Sequence, residues 1–196
     1  VRRGVTATGV APERHGWRVE VESGEALSTR HLILALDPGA LRSLAAASEL
    51  TSIAPQLAGL CESLTVAPPF AVSRLWLDRD VGADRAVFSA VTGQPNLDSI
   101  AIYSRLEEPS RRWAESTGGS IIELHSYSCK LSDAEDAAAA LRRELAVLWP
   151  ETSEAQVLHS HNRLEATAPA FPPGSSGSRP RVRTDARGLR VAGDFV

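Results

Sequence analysis

The chain ends in a short apolar strand followed by a glycine and an aspartate, and this segment constrains the fold more than any other. It reads Leu189-Arg190-Val191-Ala192-Gly193-Asp194-Phe195-Val196. Short apolar runs are typical of strands in parallel sheets, whose ligands bind at the carboxyl ends of the strands. Glycine lets a ligand approach the backbone, and a carboxylate accepts hydrogen bonds from sugar hydroxyls. The segment therefore predicts an α/β fold that binds a nucleotide-like cofactor.

Composition narrows the class of protein. The 196 residues are 43% hydrophobic and 23% charged, which is ordinary for a globular chain large enough for one core or parts of two. The net charge is -3, and phosphate binding needs clustered positive charge. We therefore expect no nucleic-acid partner. The two cysteines, Cys61 and Cys129, lack the spacing of a metal motif and are expected to be buried free thiols. No metal is predicted.

The chain contains no signal peptide and no apolar run of membrane-spanning length. We therefore expect a cytoplasmic protein, with peripheral membrane contact through the apolar region 41–60 as an open alternative. Because the last strand is followed by neither a cap nor a polar tail, we also expect the chain to be part of a longer protein.

The first part of the chain is predicted to form several strands followed by a helix. Trp17, Val19 and Val21 alternate along one strand, and residues 31–36 form a continuous apolar strand. Asp37 is expected to cap the next helix, with Pro38 at its first position.

The middle of the chain is predicted to form a mostly antiparallel sheet. The expected strands are 70–77, 86–91, 99–103, 120–127 and 156–163. Ser132 and Glu135 match a capping box at the start of an alanine-rich helix that ends before Pro150. Residues 166–180, rich in Pro, Gly and Ser, are expected to form an ordered connection back to the last strand.

Several polar residues could carry chemistry, but each has a simpler structural interpretation. His159 and His161 share one strand face and could bind a metal together with His125, although no carboxylate or cysteine cluster completes such a site. Glu123 and His125 also share a face, which permits acid–base chemistry, while a structural pair is the more common use of this arrangement. No Gly-x-Ser-x-Gly motif supports a serine hydrolase.

Aromatic residues are concentrated on the predicted strands and could line an apolar pocket. They are Phe70, Trp76, Phe88, Tyr103 and Tyr127. Strands are enriched in aromatic residues that fill cores, so core packing is the expected role of most of them.

Three segments, in the right order, resemble the carboxyl-terminal half of flavin-dependent amine oxidases and carotenoid desaturases. Residues 1–10 are similar to the strand that lies against the adenine of FAD in this superfamily, although alanine stands at position 7 where valine is usual. Residues 16–38 resemble the hairpin and strand that follow, and residues 188–194 resemble the second flavin motif. No Gly-x-Gly-x-x-Gly is present, so the chain lacks a complete nucleotide-binding unit.

The resemblance implies a fold and a set of cofactor-binding residues. It implies a partial FAD-binding, Rossmann-like domain interleaved with a substrate domain built on a mostly antiparallel sheet. Residues 1–66 and 166–196 would belong to the FAD domain, and residues 67–165 would form the substrate domain over the flavin. The residues implied to bind FAD are Ala7, Ala35, Ala192, Gly193 and Asp194. No catalytic side chain is assigned, because the flavin carries the redox chemistry.

Within this superfamily the middle segments look most like carotene desaturases of the isorenieratene synthase type. They are 70–79, 98–100 and 118–127. The resemblance implies an FAD-dependent oxidoreductase that dehydrogenates or otherwise oxidises an apolar polyene, although the chain alone is expected to be inactive. A flavin amine oxidase, a squalene-type lipid oxidoreductase and a non-catalytic lipid-binding module remain alternatives.

Overall fold

The computed structural model describes residues 2–196. The chain forms two compact units. The first unit comprises the chain up to Ala67 together with Thr167–Val196, and the second is Pro68–Ala166. Val1, the first residue of the adenine-type segment, lies outside the described residues.

In chain order the elements are β1 Ala7–Glu13, β2 Gly16–Val21, β3 Ala26–Thr29, β4 Leu32–Leu34, α1 Pro38–Ala46, α2 Leu50–Ile53, α3 Pro55–Ser63, β5 Phe70–Leu77, β6 Phe88–Ala90, β7 Ser99–Ile102, α4 Tyr103–Leu106, α5 Glu108–Thr117, β8 Ser120–Ser126, α6 Ala134–Leu148, β9 Val157–Glu165 and β10 Leu189–Val191. Short 3-10 turns occupy Pro150–Ser153 and Ser175–Ser178.

The first unit contains an antiparallel meander in the order β1-β2-β3. Trp17 and Val21 are buried and Val19 is half-buried, which matches the alternation expected for this strand. The turn between β2 and β3 contains Gly24 at φ +82°, a conformation that residues with a side chain rarely adopt.

A two-stranded parallel sheet, β4 beside β10, forms the second part of this unit. Strand β4 is shorter than the predicted 31–36 and leads into α1, which Asp37 caps by accepting a hydrogen bond from the Ala40 amide at 3.0 Å. The parallel pair, the helices and β1 share one hydrophobic core. Its largest fully buried side chains are Leu41, Leu50, Leu189, Val191 and Phe195.

The connection after β9 is anchored to the segment before β5. The Ala67 amide donates to Ala168 O at 2.8 Å, and the Ala170 amide donates to Thr65 O at 2.8 Å. These bonds order the beginning of the predicted connecting loop. They bring the chain back to the first unit, whose last strand is β10.

The second unit is a five-stranded sheet in the order β6-β7-β8-β5-β9, and every pair in it is antiparallel. The buried side chains of β5 alternate with half-buried ones, so one face of the sheet is a core face. Helix α6 covers that face with Leu141 and Leu145, which pack against Leu75 and Leu124 in one core. We call the opposite face, which carries Arg74 and Glu123, the outer face.

Two local predictions in the second unit were wrong. Helix α6 is capped by Asp133, whose carboxylate accepts from the Glu135 and Asp136 amides at 2.8 and 3.1 Å, so Ser132 and Glu135 do not form the expected capping box. Tyr103 begins helix α4 instead of ending a strand. Helices α4 and α5 were not expected, because in them only Ser104 and Ser110 are buried and no apolar stripe marks them in the sequence.

Candidate functional site

The carboxyl ends of β4 and β10 bring together four of the five residues that the resemblance implies in cofactor binding. Ala35 follows β4 directly and Ala192 follows β10, and the Ala192 amide donates to Leu34 O at 3.0 Å. Gly193 and Asp194 continue from the same strand end. This is the edge of a parallel sheet at which ligands of α/β proteins bind.

Asp194 has the properties of a ligand-binding carboxylate at this edge. Its side chain is exposed, and it forms no hydrogen bond or ion pair with any residue between 2 and 196. An ionised carboxylate is an acceptor with up to four lone-pair positions, which suits the hydroxyl groups of a sugar or ribityl chain. The acceptor chemistry of Asp194 at this edge therefore fits the hydroxyl groups of a dinucleotide such as FAD.

Gly193 has a packing reason for its lack of a side chain. A Cβ atom at this position would lie 2.5 Å from Cε1 of Phe195, whose ring is only 1% exposed in the core of the first unit. The predicted reason was close approach of a ligand to the backbone. The structure shows that the Phe195 ring already requires glycine here.

Ala7 lies in a different sheet from the other four residues. It is the first residue of β1, its side chain is exposed, and it pairs with Val21. Strand β1 is at the edge of the meander, so among residues 2–196 no strand pairs with one side of its backbone. On that side the Val10 amide bonds instead to Ser48 Oγ at 2.9 Å. Open backbone groups of this kind are what a contact with a nucleobase requires.

A cavity of about 670 Å³ in the first unit does not coincide with the predicted site. It lies near the amino-terminal ends of β4 and β10, beside His31 and Gly188, and is also lined by Arg14 and Arg187. Neither Ala7 nor Asp194 lines it. The cavity and the predicted cofactor edge therefore lie at opposite ends of the parallel pair.

The outer face of the second unit carries a hydrogen-bonded cluster around Glu123. This residue is 7% exposed, and its Oε2 accepts from Arg74 Nε at 2.7 Å. Its Oε1 lies 2.8 Å from His125 Nε2, and His125 Nδ1 lies 3.0 Å from the Tyr127 hydroxyl. The Arg74 guanidinium also lies over the Tyr103 ring, 3.9 Å from its centroid. The sequence predicted that Glu123 and His125 share a face, but not their Arg74 and Tyr127 partners.

The cluster keeps Glu123 ionised. Burial opposes the charged form, but hydrogen bonds from His125 and Arg74 outweigh it, so the pKa of the Glu123 carboxyl is lowered. Because an ionised carboxylate can only accept, His125 must donate its Nε2 proton to Glu123. In the neutral imidazole Nδ1 is then an acceptor, and Tyr127 donates to it.

The remaining candidate side chains do not form a second site. His159 and His161 are exposed on the outer face, where the His159 ring packs 4.9 Å from that of Trp76. Among residues 2–196 no group of three or more His, Cys, Asp or Glu side chains is arranged to hold a metal ion. Cys61 and Cys129 are buried free thiols, as expected, and burial raises the pKa of Cys61 to about 11. A thiol with this pKa is not a nucleophile at neutral pH.

Core packing, expected for most of the five aromatic residues, is found for none of them, because none belongs to either hydrophobic core. Tyr127 and Phe88 are 56% and 57% exposed, so neither fills a core. Phe70, Trp76 and Tyr103 are half-buried. Exposed aromatic side chains on a sheet surface provide apolar contact area for a ligand.

The helices of the first unit do not provide the apolar surface expected for membrane contact. Leu41, Leu50 and Leu57 are at most 3% exposed and pack in the core. Within the described residues, no helix combines the length and hydropathy needed to cross a bilayer.

The fold is similar to that of a known oxidase. A solved putrescine oxidase variant superposes with a TM-score of 0.59 at 13% sequence identity, over 96% of this chain and 42% of the oxidase. At this level of identity the likeness defines the fold alone. The chain has the mixed α/β fold of this oxidase, which confirms the predicted fold class.

Sequence comparison finds relatives that act on carotenoids by name. The chain is 42% identical to a carotenoid phi-ring synthase from Streptomyces griseus over 167 residues, or 84% of its length. A carotenoid phi-ring synthase from Chlorobaculum tepidum is 34% identical over 142 residues. No protein-family model matches. The chain is thus similar to one part of the carotenoid phi-ring synthases, and its matches span 32% and 22% of the length of these two relatives.

Proposed function

We propose that this chain is part of an FAD-dependent oxidoreductase that oxidises an apolar polyene of the carotenoid type, by dehydrogenation of the isorenieratene synthase kind. The observation that carries the proposal is the 42% identity to a carotenoid phi-ring synthase across 84% of the chain. The fold similarity to an oxidase supports the redox part of the proposal.

The first unit would hold the cofactor. Asp194 has a free, exposed carboxylate at the ends of β4 and β10, and it would accept hydrogen bonds from hydroxyl groups of the flavin dinucleotide. Ala35, Ala192 and Gly193 would form the rest of this edge, and the open backbone of β1 at Ala7 would contact the adenine. A bound flavin supplies a two-electron acceptor for the substrate's hydride.

The second unit would bind the substrate on its outer face. Tyr127 and Phe88 expose aromatic rings there, and the charges of Glu123 and Arg74 are paired with each other. A surface whose charges are paired and whose rings are exposed suits an apolar polyene better than an amine, which would need an unpaired carboxylate.

The test is flavin retention by the full-length protein. The wild-type protein should purify with a flavin absorption band, and Asp194→Ala should weaken flavin affinity about tenfold or more, because a hydrogen bond to a charged group contributes roughly 1.5–3 kcal/mol. Asp84→Ala, which removes an exposed carboxylate from the second unit, should leave retention unchanged. Equal retention by both variants would contradict the role of Asp194.

Substrate class is tested separately by flavin reduction. In an assay that excludes oxygen, carotenes should reduce the bound flavin, whereas amines and squalene should not. Reduction by amines alone would indicate an amine oxidase. A protein that purifies without flavin and binds none would instead indicate a lipid-binding module.

A further inference from the structure

We propose that Glu123, His125 and Tyr127 form a proton relay that takes a proton from a polyene bound on the outer face of the second unit. This rests on the function proposed above. The three residues occupy alternate positions along β8 and just beyond its end, so all three project from the same face.

The relay runs from the interior to the surface. Glu123 is 7% exposed, the His125 side chain is 20% exposed, and Tyr127 is 56% exposed. Two contacts of 2.8 and 3.0 Å join them in that order. An exposed proton-exchanging group, a histidine beneath it and a buried carboxylate that fixes the histidine are the parts of a general-base triad.

Neighbouring groups hold the relay in one arrangement. Arg74 fixes the carboxylate of Glu123, and the Tyr127 amide donates to Asp98 Oδ2 at 2.6 Å, which anchors the backbone at the exposed end. The His125 and Tyr127 rings pack edge to face with centroids 5.8 Å apart. A purely structural role would require only the pair of Glu123 and Arg74. The Tyr127 hydroxyl is exposed and can hydrogen-bond to water, so folding does not require its contact with His125.

The proposed oxidation removes one hydride and one proton from the polyene. The polyene first loses a hydride to a two-electron acceptor, a flavin by chemical class, and becomes a delocalised carbocation. A C–H bond on the neighbouring carbon then breaks, and its electron pair forms the new C=C bond. The released proton goes to Tyr127 Oη while the Tyr127 hydroxyl proton passes to His125 Nδ1. The resulting imidazolium is stabilised by Glu123, and the proton returns to solvent through Tyr127.

Steady-state kinetics of the full-length protein test the relay directly. Tyr127→Phe should lower kcat on a carotene about 100-fold, the lower end of the usual general acid–base contribution, with little change in KM. The solvent deuterium isotope effect on kcat should disappear in the same variant. Ser116→Ala, which also removes an exposed hydroxyl but at the end of α5, should match the wild type. Unchanged kcat in Tyr127→Phe, with wild-type turnover present, would overturn the relay and leave the proposed function standing.

A second measurement needs no turnover. In protein labelled with ¹⁵N-histidine, the neutral His125 side chain should carry its proton on Nε2, and Tyr127→Phe should shift the Nδ1 resonance by removing its hydrogen-bond donor. His125→Asn assigns the signal, and His159→Asn should leave it unchanged. A proton on Nδ1 in the neutral form would overturn the relay, whether or not a carotene is oxidised.

Discussion

At the scale of single residues, the ionised state of Glu123 has a measurable effect on stability. Its pKa in the folded chain lies below the ordinary value of 4.5, because hydrogen bonds from His125 and Arg74 outweigh burial. A lowered folded pKa adds stability that is fully present above the unfolded pKa and is lost as the pH falls through the folded one.

Glu123→Gln should therefore destabilise the protein by roughly 1–3 kcal/mol at neutral pH, because Arg74 loses a charged partner. The difference from the wild type should shrink as the pH falls below about 4. Urea unfolding at several pH values measures this difference in the free energy of unfolding. Glu25→Gln, in an exposed pair with Arg2, should show little difference at any pH. A gap between Glu123→Gln and wild type that is constant with pH would contradict the assignment.

At the scale of elements, helix α6 begins with Asp133 as its cap residue, one position after the Ser132 that the sequence predicted. Asp133→Ala should cost about 1 kcal/mol, because its carboxylate accepts from two amides of the first turn. Ser132→Ala should cost little, since Ser132 is not the cap residue. Thermal unfolding of the two variants gives the comparison. A larger loss in Ser132→Ala would restore the capping box predicted from the sequence.

The sequence was informative where proline and capping residues mark the ends of elements. The stretch 70–77, which follows Pro68 and Pro69, was predicted as a strand and forms β5 with these bounds, and Asp37 and Pro38 predicted the start of α1. Helix α5 is almost entirely polar and buries only Ser110, so no apolar stripe predicted it. The spacing of Glu123 and His125 was visible, but their partner Arg74 depends on the register of β5 with β8, which long-range packing determines.

At the scale of the whole molecule, the parallel sheet has an unprotected edge. Within the described residues β4 pairs with β10 alone, and Ile33 on β4 is 62% exposed. Unpaired strand edges with apolar side chains promote association between chains.

These 196 residues expressed by themselves should therefore self-associate. Ile33→Lys should reduce this association, because a charge on an edge strand opposes pairing with another chain. Val147→Lys, a matched change at an exposed position on α6, should not. Sedimentation velocity separates the outcomes, and a monodisperse wild-type monomer would contradict the prediction.

The division of the first unit into two stretches of chain also sets an order of events on the ribosome. Its core needs Val191 and Phe195, which are translated after every residue of the second unit. The second unit is continuous, so it can fold while translation proceeds. Leu34 and Leu41 therefore stay without these core partners until Val191 and Phe195 have left the ribosome.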